Sequence, residues 1–115
     1  MEKTIKIGNK DVTMKATGNT PKRYRDTFNK DLLVEYQNLL KKIDPEGNFQ
    51  EGADLGVVER LAYVMAKQYD NNIGTLEEWL DEFGVMDIFN SLADIFSVWN
   101  ASSETLSDSK KKADR

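Results

Sequence analysis

Leu55-Gly56-Val57-Val58-Glu59-Arg60-Leu61-Ala62-Tyr63-Val64-Met65-Ala66-Lys67-Gln68-Tyr69 is the stretch on which the reading of this chain turns. Val57, Val58, Leu61, Ala62, Val64, Met65 and Tyr69 recur at helical spacing and spread over more than one narrow stripe. A helix with so broad an apolar face touches two neighbours rather than one. The partners come from both sides of it in the sequence.

Upstream, Leu32, Leu33, Tyr36, Leu39, Leu40 and Ile43 form a cleaner single stripe, expected as a helix that Asp31 caps and Asp44-Pro45 ends. Before it, Thr20-Pro21 reads as the start of a short helix to about Phe28, with Thr20 as cap and Asn29-Lys30 as the interruption. At the front, Ile5 and Ile7 alternate with Thr4 and Lys6, and Val12, Met14 and Ala16 alternate with Thr13 and Lys15. Gly8-Asn9-Lys10 supplies the turn of a β-hairpin, which is marginal alone and must lie on helices. Downstream, Asp44 to Asp54 reads as a surface loop. Thr75-Leu76-Glu77-Glu78 spells a capping box for a helix bearing Leu76, Trp79, Leu80 and Phe83, which Gly84 stops. A fifth helix is expected from Val85 to Asn100, with Val85, Ile88, Phe89, Leu92, Ile95, Phe96 and Trp99 as its stripe. The expected fold class is therefore α+β, mainly α: a hairpin packed on about five helices in one domain over residues 1–100, then a flexible polar tail over residues 101–115.

Composition narrows the function. The chain has 115 residues, with no histidine and no cysteine, which removes the commonest general base, the commonest metal ligand and every thiol nucleophile. No apolar run approaches a membrane span and no signal-peptide core precedes the hairpin, so the expected location is the cytoplasm. Asp44, Glu46 and Asn48 mimic the start of a calcium loop, but Phe49 and Leu55 stand where glycine and glutamate are required. Glu77, Glu78, Asp81 and Glu82 read as the wet side of an amphipathic helix rather than a catalytic pair. No enzymatic activity, cofactor or structural metal is expected.

Charge is unevenly placed. Residues 1–42 carry ten bases against five acids, and residues 43–109 carry two bases against fourteen acids. This asymmetry makes attraction between copies, hence a homo-oligomer, a physical expectation. Residues 70–94 hold seven acids and no base, which keeps an acidic DNA-mimic inhibitor as an alternative, beside a generic host adaptor. Met86 and Val98 fall off the stripe of the fifth helix and make it apolar on more than one side. With Trp99, they are the candidate protein-interaction surface.

Five stretches carry a resemblance across residues 1–112: Ile5-Lys6-Ile7-Gly8-Asn9-Lys10, Thr20-Pro21-Lys22-Arg23-Tyr24-Arg25, Phe28-Asn29-Lys30-Asp31-Leu32, Glu59 to Lys67, and Glu77-Glu78-Trp79-Leu80-Asp81-Glu82-Phe83. In their order, with the short Lys-ending tail, the chain resembles a bacteriophage tail assembly chaperone of siphoviruses and prophages. It departs from that pattern in having Asn29 where glycine is more usual. The resemblance implies a non-catalytic protein of the host cytoplasm that binds the tape measure protein and helps recruit tail tube subunits, with no nucleic-acid or membrane partner. It also implies a longer form made by frameshifting, for which Lys110-Lys111-Lys112 marks a suitable place.

Overall fold

In a computed structural model of the chain, the backbone is described over residues 1–113 and the side chains over residues 1–102. Strand β1 (Glu2–Ile7) pairs antiparallel with β2 (Lys10–Lys15), with Ile5 opposite Val12 and Ile7 opposite Lys10. The turn between them has two residues, and of these only Gly8 takes a positive φ, at 60°. That is the demand of a hairpin turn whose first central position is glycine. A side chain at Gly8 would also collide with the Asp87 carboxylate. Ile5, Ile7 and Met14 are buried on one face of the ribbon, as the alternation requires.

Six helices follow among the described residues: α1 (Thr20–Phe28), α2 (Leu32–Leu40), α3 (Gly56–Tyr69), α4 (Leu76–Leu80), α5 (Asp87–Asn90) and α6 (Leu92–Ala113). The expected class, mixed α and β and mainly α with an N-terminal hairpin, is what the structure has. Helix α3 is the hub. It packs against β2, α1, α2, α4, α5 and α6, and Val57, Val58, Leu61, Ala62, Tyr63, Val64, Met65 and Ala66 are all buried along it. The two neighbours expected from its apolar breadth are in fact six.

Several boundaries move, each for a local reason. Thr20 is not the cap of α1. It is fully buried, its hydroxyl accepting from the Thr17 amide at 2.9 Å and donating to Gln68 Oε1 at 2.7 Å, while Asn19 precedes the helix. Asn29 ends α1 with φ of 55°, a left-handed position that asparagine tolerates better than other side-chain-bearing residues and that glycine would also satisfy. Asp31 caps α2 as expected, accepting from the Val34 amide at 3.2 Å. Helix α2 stops at Leu40 rather than running to Ile43, because Ile43 leaves it to bridge Phe49. Asp44 Oδ1 accepts from the amides of Glu46 and Asn48, and the segment from Asp44 to Asp54 folds back with Phe49 against the core.

The single helix expected from Val85 to Asn100 is two. Asp87 Oδ2 accepts from the Gly84 amide at 2.7 Å, which starts α5 two residues late. Ser91 then breaks the helix, and its hydroxyl donates to the Lys6 carbonyl at 3.0 Å. Helix α6 therefore wedges between the hairpin and α2. Ser102 Oγ donates to the Ala16 carbonyl on one side, and Tyr36 packs edge-on against Phe96 and Trp99 on the other. Covered on both flanks, Val98 is 0% exposed and Trp99 6%. Both belong to the core and not to an interaction surface. Of the tail expected over residues 101–115, Ala101 and Ser102 are half-buried on α6. The side chains after Ser102 lie outside the described residues.

Two substitutions test this placement of α6. Trp99→Ala is expected to cost about 3–5 kcal/mol, the usual range for emptying a buried aromatic site. Val98→Glu buries an unpaired charge and is expected to abolish cooperative unfolding. Urea denaturation followed by tryptophan fluorescence and circular dichroism checks both. A Val98→Glu protein with a wild-type midpoint would place α6 wrongly.

Candidate protein-interaction surfaces

Of the three residues nominated from sequence, only Met86 is at the surface, 55% exposed, and Val85 beside it is 92% exposed. Their exposure follows from the turn that holds them. Gly84 and Asp87 are closed onto each other by the Asp87 carboxylate and by the Asp87 amide donating to the Gly84 carbonyl at 3.1 Å. The two residues between are pushed outward. Val85, expected on the stripe of the fifth helix, is thus the most exposed large apolar side chain among the described residues.

A second apolar surface lies on α2. Leu33, Val34 and Leu40 are about half exposed, whereas Leu32 and Leu39 are buried. Leu33 and Leu40 were expected on the buried stripe, and the roll of the helix explains why they are not. Glu35 points inward to a polar node built on Arg60, the charged residue in the middle of α3. Arg60 Nε donates to the Tyr24 hydroxyl at 2.8 Å, and that hydroxyl donates to Glu35 Oε1. Arg60 Nη2 reaches Glu35 Oε1 at 3.3 Å and Asp54 Oδ2 at 2.9 Å. Burial and the Glu35 hydrogen bond push the Tyr24 hydroxyl well above its ordinary range. Burial would raise the Asp54 carboxyl, but the hydrogen bond and charge of Arg60, with the Gly56 amide, outweigh it and hold that carboxyl below the usual range. Four segments meet at one guanidinium, and the phase of α2 is set by it. Nothing in the apolar pattern of α2 marks Glu35 as inward.

The third surface is a groove between the hairpin, α3 and α4, with a volume of about 260 Å³. Its floor is Val12, Ala66, Ile73, Trp79 and Phe83, and Tyr69, half exposed at the last turn of α3, stands at its mouth. Trp79 is fixed by rings on both sides, Tyr63 at 5.9 Å and Phe83 at 5.0 Å between centroids. The capping box of Thr75 and Glu78 starts α4 as expected and sets the angle at which Trp79 enters. Lys10 closes one end, 2.7 Å from Glu82 Oε1 and 5.7 Å above the Phe83 ring. The charged rim is otherwise acidic: Asp11, Asp70 and Glu82. By its spacing Tyr69 belongs to the broad apolar face of α3, yet it is half exposed. Its place as the last residue before Asp70-Asn71-Asn72 was the available signal, since a terminal helical position is easily left uncovered.

Many of the acids of residues 70–94 have local partners. Asp70 Oδ1 accepts from the Asn72 amide, Glu78 from the Thr75 amide, Glu82 from Lys10, and Asp87 from Gly84. Among the described residues, no group of three or more carboxylates gathers as metal ligands would, and no helix is long and apolar enough to cross a membrane. Comparison with protein-family models, curated proteins and solved structures gives no match for this chain.

The depressed Asp54 carboxyl has a pH signature. A carboxyl held below its unfolded value of about 3.9 contributes stability above that pH and loses it as pH falls through the folded value. Asp54→Asn is therefore expected to be less stable than wild type at neutral pH, with the gap closing below about pH 4. Urea midpoints measured across that range check it, and a gap that stays constant would remove Asp54 from the node.

Proposed function

We propose that this chain is a non-catalytic phage tail assembly chaperone that holds an amphipathic helical client, the tape measure protein, in the groove between β2, α3 and α4. The groove is the observation that carries the reading. Its floor is Trp79, Phe83, Ile73 and Val12, and its rim carries Asp11, Asp70 and Glu82, of which Asp11 bridges Lys6 and Glu82 bridges Lys10. An apolar floor with an acidic rim suits a helix that presents apolar residues flanked by lysines. The groove is partly open to solvent, which suits a holdase that must release its client when assembly ends. The net charge of −4 favours keeping a complex with an apolar client in solution. The order of the sequence stretches that resembles tail assembly chaperones supports the same reading, with recruitment of tail tube subunits and a host-cytoplasmic site of action as its further parts. The local pairing of Asp70, Glu78, Glu82 and Asp87 makes these acids capping and bridging groups first, and argues against a DNA mimic.

A tape measure gene is expected next to the gene for this chain, and co-expression of the two tests the proposal. The client is expected to remain soluble and to co-purify with the full chain. Tyr69→Glu, at an exposed helix end, is expected to leave the helical signal unchanged and to lower client recovery at least roughly tenfold, the effect of losing about 2 kcal/mol at an aromatic anchor. A tape measure protein equally insoluble with and without this chain would overturn the reading, as would a Tyr69→Glu variant that holds it as well as wild type.

A further inference from the structure

Between α1 and α3, apart from the groove, lies a second concavity of about 210 Å³. One wall is Arg23 and Thr27 on α1, with Asp26 beside them, and the other is Tyr63 and Lys67 on α3, with Val64. Residues four apart on a helix share a face, so each helix turns one cation toward the concavity. Both cations are partly buried, whereas Lys22 and Arg25 of the same α1 are exposed. Neither Arg23 nor Lys67 forms a salt bridge among the described residues. Arg23 Nη2 donates to Asn71 Oδ1 at 3.0 Å and Lys67 Nζ to the Tyr63 hydroxyl at 3.2 Å, both neutral acceptors. The Tyr63 hydroxyl gives its own proton to the Gly74 carbonyl, so toward Lys67 it only accepts. Lys67 Nζ also stands 5.6 Å over the Tyr63 ring, which helps to hold it in place.

The acids nearby are committed elsewhere. Asp26 accepts from Lys22 at 2.7 Å, and that hydrogen bond holds its carboxyl below the usual range. Glu78, an acid within electrostatic reach of Lys67, accepts from the Thr75 amide at 2.8 Å. Two partly buried cations lining one concavity repel each other, and an anion between them removes that repulsion while meeting their remaining donors. We propose that this concavity docks a carboxylate carried by an acidic segment of a partner protein, held between the Arg23 guanidinium and the Lys67 ammonium with the Thr27 hydroxyl as a further donor. Val64 and the Tyr63 ring offer apolar surface that suits the aliphatic stem of an aspartate or glutamate. A dianion such as phosphate has no stem to lay there and is repelled more strongly by Asp26. One carboxylate is held only weakly by cations that reach water, so the partner is an acidic run rather than a single acid. The charge preference is the reverse of that of the acid-rimmed groove, so the two sites select different partners. The inference stands on this concavity alone and is independent of what the groove holds.

The test titrates the full chain into a fluorescently labelled hexaglutamate peptide and follows anisotropy at about 0.1 M salt, where the screening length is about 10 Å. Wild type is expected to bind this peptide and not hexaglutamine. Arg23→Gln/Lys67→Gln is expected to weaken binding at least roughly tenfold with the helical signal unchanged. Arg25→Gln/Lys41→Gln removes the same charge from exposed positions and is expected to change it by less than about twofold. Thr27→Glu, at an exposed position, supplies a carboxylate from the chain itself and is expected to abolish binding. It carries the test if the first variant loses helical signal. Wild type that fails to bind hexaglutamate would overturn the proposal, as would a Thr27→Glu protein that binds it normally. Equal weakening in the two glutamine variants would do the same, since net charge would then explain the contact. Inorganic phosphate that displaces the peptide at lower concentration than glutarate, at matched ionic strength, would overturn the carboxylate assignment.

Discussion

The arrangement of this protein depends on one guanidinium. Arg60 sits in the middle of the most buried helix, only 15% exposed at its side chain, and a charge so placed must be paired or it destabilises the fold. Its partners come from three other segments: the Tyr24 hydroxyl of α1, the Glu35 carboxylate of α2 and the Asp54 carboxylate at the end of the long connection. Satisfying them fixes the roll of α1 and α2 against α3 more tightly than apolar contact could, because a hydrogen bond is lost over a few tenths of an ångström whereas apolar packing tolerates some sliding. The other end of α3 has a similar lock, in which Gln68 exchanges hydrogen bonds with Thr17 and Thr20.

This polar specification has a consequence at the surface. A nine-residue helix whose sequence is Leu-Leu-Val-Glu-Tyr-Gln-Asn-Leu-Leu cannot bury all its apolar residues once its glutamate is required inside. Leu33, Val34 and Leu40 are left facing water. A similar constraint operates at the α4–α5 corner, where the hydrogen bond between Asp87 and Gly84 ejects Val85 and Met86. In both places a polar contact that stabilises the fold leaves apolar surface over, and such surface is the raw material of protein–protein recognition.

Many of the ionisable groups that lie together are paired into structural nodes, as Arg60 is with Glu35 and Asp54, or into surface bridges such as Lys10 with Glu82 and Lys22 with Asp26. The groove is lined by rings and aliphatic side chains that are themselves immobilised, Trp79 by Tyr63 and Phe83. A preorganised floor of this kind lowers the ordering cost of binding.

The sequence by itself determined the elements whose cause is local. The hairpin follows from strict alternation around Gly8, the cap of α2 from Asp31, the start of α4 from the Thr75–Glu78 box, and α3 from a helical period too broad to mistake. Each of these is decided by residues within a few positions of one another. Tertiary structure alone decided which apolar residues of α2, of the α4–α5 corner and of α6 are inside. The roll of α2 depends on Arg60, 25 positions away from Glu35. The break that puts Val98 and Trp99 in the core depends on Ser91 reaching a carbonyl 85 positions earlier. Apolar periodicity reports that a helix has an inside, but the choice among near-equivalent faces is made by polar groups that must find partners, and those partners are distant in the chain.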